Sequence, residues 1–391
     1  MQNLWEFVDR SGAGAGEQPR ESLTYWKDVW RRFRKNKLAL VGLCLIVLIL
    51  LLALVGPVLS SHSYSDQNLA LGNIPPILRV TDLGQGSKIY VQESLYQIIR
   101  VTDKGEVLGP AALLKNDTIG RRKVFEVDGN EVTLDYSMAR EAGSTKKYEL
   151  YLNGSKVMGG SKTVLNRSNL LGTDKLGRDV LARTLYGGRI SLLVGIVSAL
   201  ITMLVGVAYG GVSGYEGGTV DNVMMRIVDL LNSIPLMLIV ILLMVVTNRS
   251  DVGIVILTIS LVYWLPMARQ VRGQVMSLKE QEFVLAAKAL GAPKSRIIFR
   301  HLIPNAMGPI VVSMMMSIPQ AIFTESFLSF VGLGVAAPAA SWGTLANDAL
   351  GGIRSYPYLL IVPSVAIALT MFAFNFVGDG LRDALDPRQR Q

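Results

Sequence analysis

Runs of uncharged residues, each long enough to cross a bilayer, constrain this chain more than anything else in it. The first is "LALVGLCLIVLILLLALVGPVL", Leu38 to Leu59. A helix rising about 1.5 Å per residue over that stretch spans the roughly 30 Å hydrocarbon core. Lipid offers the backbone no partners, so such a run must satisfy its own hydrogen bonds as a helix. Similar runs recur at about Ile190–Tyr209, Asp229–Val246, Val252–Met267, from Pro304 to near Phe330, and at about Tyr358–Val377. Half of the residues are hydrophobic, too many for an ordinary soluble domain. The chain therefore reads as an all-α polytopic membrane protein with about six transmembrane helices. The first run is not a signal peptide: the polar region before it is too long, and no small-x-small cleavage site follows.

Charge sets the expected orientation. Lys and Arg number 39 against 30 Asp and Glu, and the cations cluster beside the apolar runs. That placement marks cytoplasmic flanks and not a nucleic-acid surface. Arg31, Arg32, Arg34, Lys35 and Lys37 precede the first span and put the N-terminus inside. An even number of spans returns the C-terminus to the same side, where Arg382, Arg388 and Arg390 fit. The connection between the fourth and fifth spans is also inside and holds Arg269, Arg272, Lys279, Lys288, Lys294, Arg296 and Arg300. Lys175, Arg178, Arg183 and Arg189 fall on the wrong side and are expected to pair with Asp174 and Asp179. The third span, about Asp229–Val246, is expected to tolerate Pro235 inside one helix.

Five regions follow. Residues 1–37 form a cytoplasmic amphipathic arm. In it Leu23, Trp26, Trp30 and Phe33 recur at helical spacing opposite Lys and Arg, a pattern suited to an anionic leaflet, with a solvated linker as the alternative. "SGAGAG" is a flexible patch with no strand before it, so it is no nucleotide loop. Residues 38–60 are the first span. Residues 61–168 read as a β-rich extracytoplasmic insertion between the first and second spans: β-prone runs such as "KIYVQ" and "KVFEVDGNEVTLDY" carry the hairpin signals Asp128-Gly129 and Asn153-Gly154. It either touches a substrate-delivering protein or is a variable embellishment. "MGGSKT" lacks the core of a phosphate loop. Residues 169–380 are the transmembrane domain, with a cytoplasmic loop over 269–304, and 381–391 are a cytoplasmic tail.

The spans almost lack ionisable residues. Charge at the bilayer centre costs about 2.5–3.5 kcal/mol on insertion scales and is kept for function. Its absence argues against a self-standing channel or secondary carrier. Glu325, near the outer end of the fifth span, is the exception. It meets substrate or a partner subunit, or it is an interfacial carboxylate reaching a headgroup or neighbouring donor. His62 and His301 are expected on opposite sides, no metal-ligand spacing exists, and no nucleophile–base set can be drawn. Cys44, the single cysteine, suits apolar packing. The chain is not read as an enzyme, so uphill transport needs energy from another chain.

The loop "EFVLAAKALGAPKSRIIFRHLIPNAMGP", Glu282 to Pro309, is the most informative stretch. Glu282–Leu290 favours a helix, Gly291 suits its left-handed C-terminus, and Pro293 opens a second helix that ends before Pro304. Ala286, Ala287 and Gly291 form a small face that another backbone can approach. By motif alone, a docking knob and an ordinary helical loop are both open.

"E-F-V-x-A-A-K-A-L-G" with "I-I-F-R-H-L-I-P-N" resembles the EAA loop of ABC-importer permeases, most closely the C-type permease of dipeptide/oligopeptide importers. "WRRFRKNKLALVGL", "LLGTDKLGRDVLARTLYGGRISLLVG", "VDNVMMRIVDLLNSIP" and "FLSFVGLGV…SWGTL" resemble other segments of that family. The Glu of the EAA triplet is Leu285 here, with Glu282 just upstream. The resemblance implies a type I ABC importer permease fold in a bacterial or archaeal cell (inner) membrane. It implies a second, B-type permease, two ATP-binding subunits that carry ATP and Mg, and an extracytoplasmic peptide-binding protein, with no cofactor in this chain and no nucleic acid. ATPase coupling would fall to Glu282, Ala286, Ala287, Gly291, Arg300, His301 and Pro304. Di- and oligopeptides are the expected cargo. Nickel, glutathione or another small solute on the same architecture is the alternative, and a sensory or structural membrane protein is a third class.

Overall fold

The computed structural model describes residues 25–84, 86–140, 147–157, 160–336 and 338–385. The "SGAGAG" patch, the Leu23 and Trp26 side chains, Met158 and Gly159, and Arg388 and Arg390 lie outside the described residues. The rest is mostly helical. Among the described residues, five helices are long and apolar enough to cross a membrane, six if one bent pair counts as a single span.

A short helix α1 (Tyr25–Phe33) precedes the first span α2 (Lys37–Leu59). Asn36 caps α2 by accepting from the Ala39 N–H at 3.2 Å. Part of the arm packs on the protein itself. Val29 and Phe33 are buried against Ala39 of α2 and Ala384 and Leu385 near the C-terminus, while Trp30 stays exposed. Of the two described residues of the face assigned to the leaflet, Phe33 is covered by protein and Trp30 is not.

Among the described residues, ten strands lie between α2 and the next long helix and pair antiparallel throughout. They are β1 (Ile77–Asp82), β2 (Lys88–Gln92), β3 (Gln97–Val101), β4 (Val107–Pro110), β5 (Ala112–Asp117), β6 (Arg122–Val127), β7 (Asn130–Asp135), β8 (Glu149–Leu152), β9 (Ser155–Lys156) and β10 (Ser161–Leu165). The first sheet has the order β10-β1-β2-β3-β4, and the second runs β5 to β9 in sequence. Ile89, Val91 and Ile98 of the first sheet pack on Phe125, Val127, Val132 and Leu134 of the second. Asp128-Gly129 and Asn153-Gly154 both adopt the paired positive φ of a tight hairpin turn (50° and 82°, 47° and 83°). The first and last strands pair with each other, Ile77 opposite Leu165, so the module closes on its own neck.

The membrane bundle follows: α3 (Val180–Glu216), α4 (Gly218–Asn232), α5 (Leu236–Thr247), α6 (Val252–Leu278), α7 (Glu282–Ala289), α8 (Lys294–Arg296), a π-helical turn (Ile297–Leu302), α9 (Ile303–Phe330), α10 (Trp342–Ala349) and α11 (Tyr358–Leu385). Small residues on α3 let α6 lie close: a Cβ on Gly214 would meet the Arg272 carbonyl at 2.7 Å.

Two expectations for the bundle are corrected. The third span is not one straight helix. α4 and α5 meet at 82°, because Pro235 has no N–H to continue the ladder and takes an extended ψ of 131°. The helix expected to stop before Pro304 does not stop. Lys294–Phe330 runs as one 37-residue span in which Pro304 occupies the first turn of α9. The π turn before it absorbs the irregularity, with Ile303 N–H bonding back to Ile298 O, and Asn305 Nδ2 donates to the His301 carbonyl at 2.6 Å.

Candidate coupling site

The helical hairpin α7–α8 forms at the end of the bundle opposite the β module because one of its faces is apolar. Val284 and Ala287 turn inward, three residues apart on α7, and pack with Val271 and Val275 of α6 and with Ile297, Ile298 and Leu302. The C-terminus of α7 is a Schellman motif: Ala292 N–H bonds Ala287 O at 3.1 Å and Gly291 N–H bonds Lys288 O at 3.0 Å. Gly291 sits at φ +76°, as its sequence position requires, with open space where a side chain would project.

Polar contacts hold the hairpin to the end of α3. Lys294 Nζ donates to both oxygens of Glu216 at 2.9 Å, and Lys288 lies 5.6 Å from the centre of the Tyr215 ring. One turn further on, Asp221 of α4 is buried. It accepts two 2.5 Å bonds from the Arg272 guanidinium and one from Ser213 Oγ. The hairpin therefore rests on a braced platform of α3, α4 and α6.

The expected site residues divide. Glu282, Ala286, Gly291, Arg300 and Pro304 are exposed, and His301 is half-buried. Ala287 is corrected: it is buried in the chain's own core and is not part of an outward face. The outward face is also less small than expected. Phe283, Leu285, Leu290 and Phe299 are exposed, Leu290 to 88%. Large apolar side chains in a connection expected to face water were the signal for this patch, and attention to the small residues passed over it.

For Glu325 the structure takes the neighbouring-donor reading, inside the protein and not at an interface. Glu325 is 0% exposed and reaches neither a headgroup nor an outside surface of this chain. Its carboxylate accepts from Ser191 Oγ at 2.9 Å, Ser329 Oγ at 2.8 Å and Ser326 Oγ at 3.4 Å. Ser191 Oγ also accepts the Trp342 backbone N–H at 3.3 Å, which ties the knot to the start of α10. The other end of α10 is tied by charge. Arg178 and Arg183 donate to Asp174 at 2.7 and 2.6 Å and reach Asp348 at 3.4 and 3.2 Å. Asp174 thus takes the pairing expected of it. Asp179 pairs with no Lys or Arg among the described residues; it caps α3 through the Ala182 N–H and accepts from Asn169 Nδ2 at 2.8 Å.

Among known proteins, the family described as "Binding-protein-dependent transport system inner membrane component" matches residues 191–391. The "N-terminal TM domain of oligopeptide transport permease C" matches residues 24–76. The oligopeptide transport system permease protein OppC of Bacillus subtilis (strain 168) is 38% identical over 389 residues, 100% of this chain and 98% of its own length. The dipeptide transport system permease protein DppC of the same organism is 39% identical over 373 residues, 95% of this chain and 88% of its own. OppC of Haemophilus influenzae is 48% identical over 222 residues, 57% of this chain and 71% of its own.

Proposed function

This chain belongs to the dipeptide/oligopeptide C-type permease family of ABC importers, and from that premise we propose how it works in an assembled importer. It pairs with a B-type permease to form a path for di- and oligopeptides. Two ATP-binding subunits, which carry ATP and Mg, sit against the α7–α8 hairpin, and an extracytoplasmic binding protein delivers the peptide. The N- and C-termini and the hairpin face the cytoplasm, and the β module, residues 61–168, faces outward. Transport switches the spans between two packings.

The observation that carries this reading is the hairpin itself. Its inner face is locked to α3, α6 and the start of α9, while its outer face exposes Phe283, Leu285, Leu290 and Phe299 around the Gly291 turn. An apolar patch on a fixed knob fits a cleft in a partner. Motion imposed on it reaches the spans through packed side chains. Glu282, Ala286, Arg300, His301 and Pro304 flank that contact, and Ala287 supports it from beneath.

The test is peptide uptake and ATPase co-purification for Gly291→Trp, Phe299→Glu and Gly291→Ala. Gly291→Ala strains the turn by about 1 kcal/mol without adding bulk. We expect Gly291→Trp and Phe299→Glu to abolish uptake and release the ATPases, with membrane insertion intact, and Gly291→Ala to retain both. Normal uptake by Gly291→Trp would defeat the docking model.

A further inference from the structure

We propose that a polar seam between α6 and α9 lines the route of the transported peptide, with Gln320 as the group that meets the peptide backbone. The inference rests on the peptide-importer reading above.

Ser313, Ser317, Gln320 and Thr324 follow one another on α9 at steps of four, three and four, which places them on one helical face. Tyr263 and Gln270 of α6 stand seven apart, also on one face. The two rows meet at both ends. The Tyr263 and Thr324 hydroxyls are hydrogen-bonded, and Ser313 Oγ donates to Gln270 Oε1 at 2.7 Å. Gln270 Nε2 donates to the Pro309 carbonyl at 3.3 Å, and Ser317 returns its hydroxyl to the Met314 carbonyl at 2.7 Å. Gln320 is different. It is exposed, and its carboxamide has no hydrogen-bond partner among the described residues.

Depth makes that exposure informative. From Ser313 to Thr324 the seam covers about 16 Å along α9, roughly half of a hydrocarbon core. A carboxamide turned to lipid at that depth is costly, so polar groups in spans face water or protein. The exposed mid-span residues Leu52 of α2 and Leu369 and Phe372 of α11 are apolar by contrast. The open side of the seam therefore faces an aqueous route. Its chemistry suits peptide bonds. Gln320 offers one acceptor oxygen and two N–H donors, the complement of a backbone C=O and N–H. None of the six seam residues is charged, so the seam holds any peptide by its backbone and does not sort side chains by charge.

The experiment uses the complete importer in native membrane vesicles, in a Cys44→Ala background. Gln320→Cys and Leu52→Cys are treated with a charged, membrane-impermeant thiol reagent, with and without trialanine. Gln320→Cys should react and be slowed by trialanine under transport, and Leu52→Cys should not react. In a parallel variant, Gln320→Lys should raise the kcat/KM ratio for Asp-containing over Lys-containing tripeptides about tenfold, equivalent to about 1.4 kcal/mol. A merely structural role would change both peptides alike. Two results would overturn the seam: Gln320→Cys as inert as Leu52→Cys in a transporting complex, or reaction only once the partner permease is removed, which would put Gln320 at the contact between permeases. Wild-type vesicles that ignore trialanine but accumulate another solute would defeat the peptide reading alone. Protection of Gln320→Cys by that solute would then still support the seam.

Discussion

Pro57 leaves the Ala53 carbonyl of α2 without its helical donor, and Arg189 of α3 supplies one. Its Nε lies 2.7 Å from that oxygen, and a second guanidinium nitrogen lies 2.5 Å from the Leu54 carbonyl. A cation that looked misplaced by the positive-inside rule is thus a bridge between helices. Sequence reasoning foresaw Asp174 as a partner because it is four residues from Arg178, within reach on local geometry. It did not foresee Arg189 or Asp348, whose partners lie more than a hundred residues away. It offered a neighbouring donor as one reading of Glu325 but did not identify Ser191, which comes from another helix. The Asp221–Arg272 pair belongs to the same class and gives a clean test. Asp221→Asn should destabilise the purified complex by about 2 kcal/mol, since Arg272 loses its charge partner while staying 32% exposed. Arg272→Met should cost more, because it strands a buried carboxylate. The double variant should recover part of the sum, and thermal unfolding in a double-mutant cycle measures the coupling.

At the scale of elements, hydrophobic runs and turn residues made most of the fold legible. The six runs correspond to α2, α3, the α4–α5 pair, α6, α9 and α11, and the Asp-Gly and Asn-Gly pairs mark β6–β7 and β8–β9. The misses come from proline. Pro235 breaks its span and Pro304 does not, although both interrupt apolar or helical sequence, because neighbouring backbone decides whether the lost bond is replaced. The β7 strand carries an acid-sensitive anchor. Burial alone would raise the Asp135 carboxyl, but the Ser137 N–H and the Arg122 guanidinium at 2.7 Å hold it below the ordinary carboxylate range. A depressed folded-state value means that this stabilisation is fully present above the unfolded value of about 4 and is lost as pH falls through the folded one. Protection from hydrogen exchange across β6 and β7 in the full chain, taken relative to the intrinsic rate at each pH, should therefore fall below about pH 4. Asp135→Asn should make those strands less protected at neutral pH and flatten the acid response.

At the scale of the whole molecule, the β module and the bundle are joined through a narrow neck. The Tyr358 hydroxyl donates to the Thr173 carbonyl at 2.7 Å, and the Asn73 N–H donates to the Asp174 carbonyl at 2.8 Å. Replacing residues 77–165 by a short Gly/Ser linker should leave the bundle inserted and bound to its ATPases. If the module receives the binding protein, uptake at low peptide concentration should fall while the ATPase activity of the complex remains. Loss of membrane insertion on excision would show that the bundle needs the module to fold. How the two parts sit together was not legible in the sequence, because β1 and β10 are paired across more than eighty intervening residues. That pairing has a genetic corollary. The chain enters and leaves the module on adjacent strands, one strand spacing apart, about 4.8 Å. A single in-frame DNA segment at that junction can be gained, lost or exchanged between lineages without a new route for the polypeptide. The same socket gives an engineer one place to splice in a reporter.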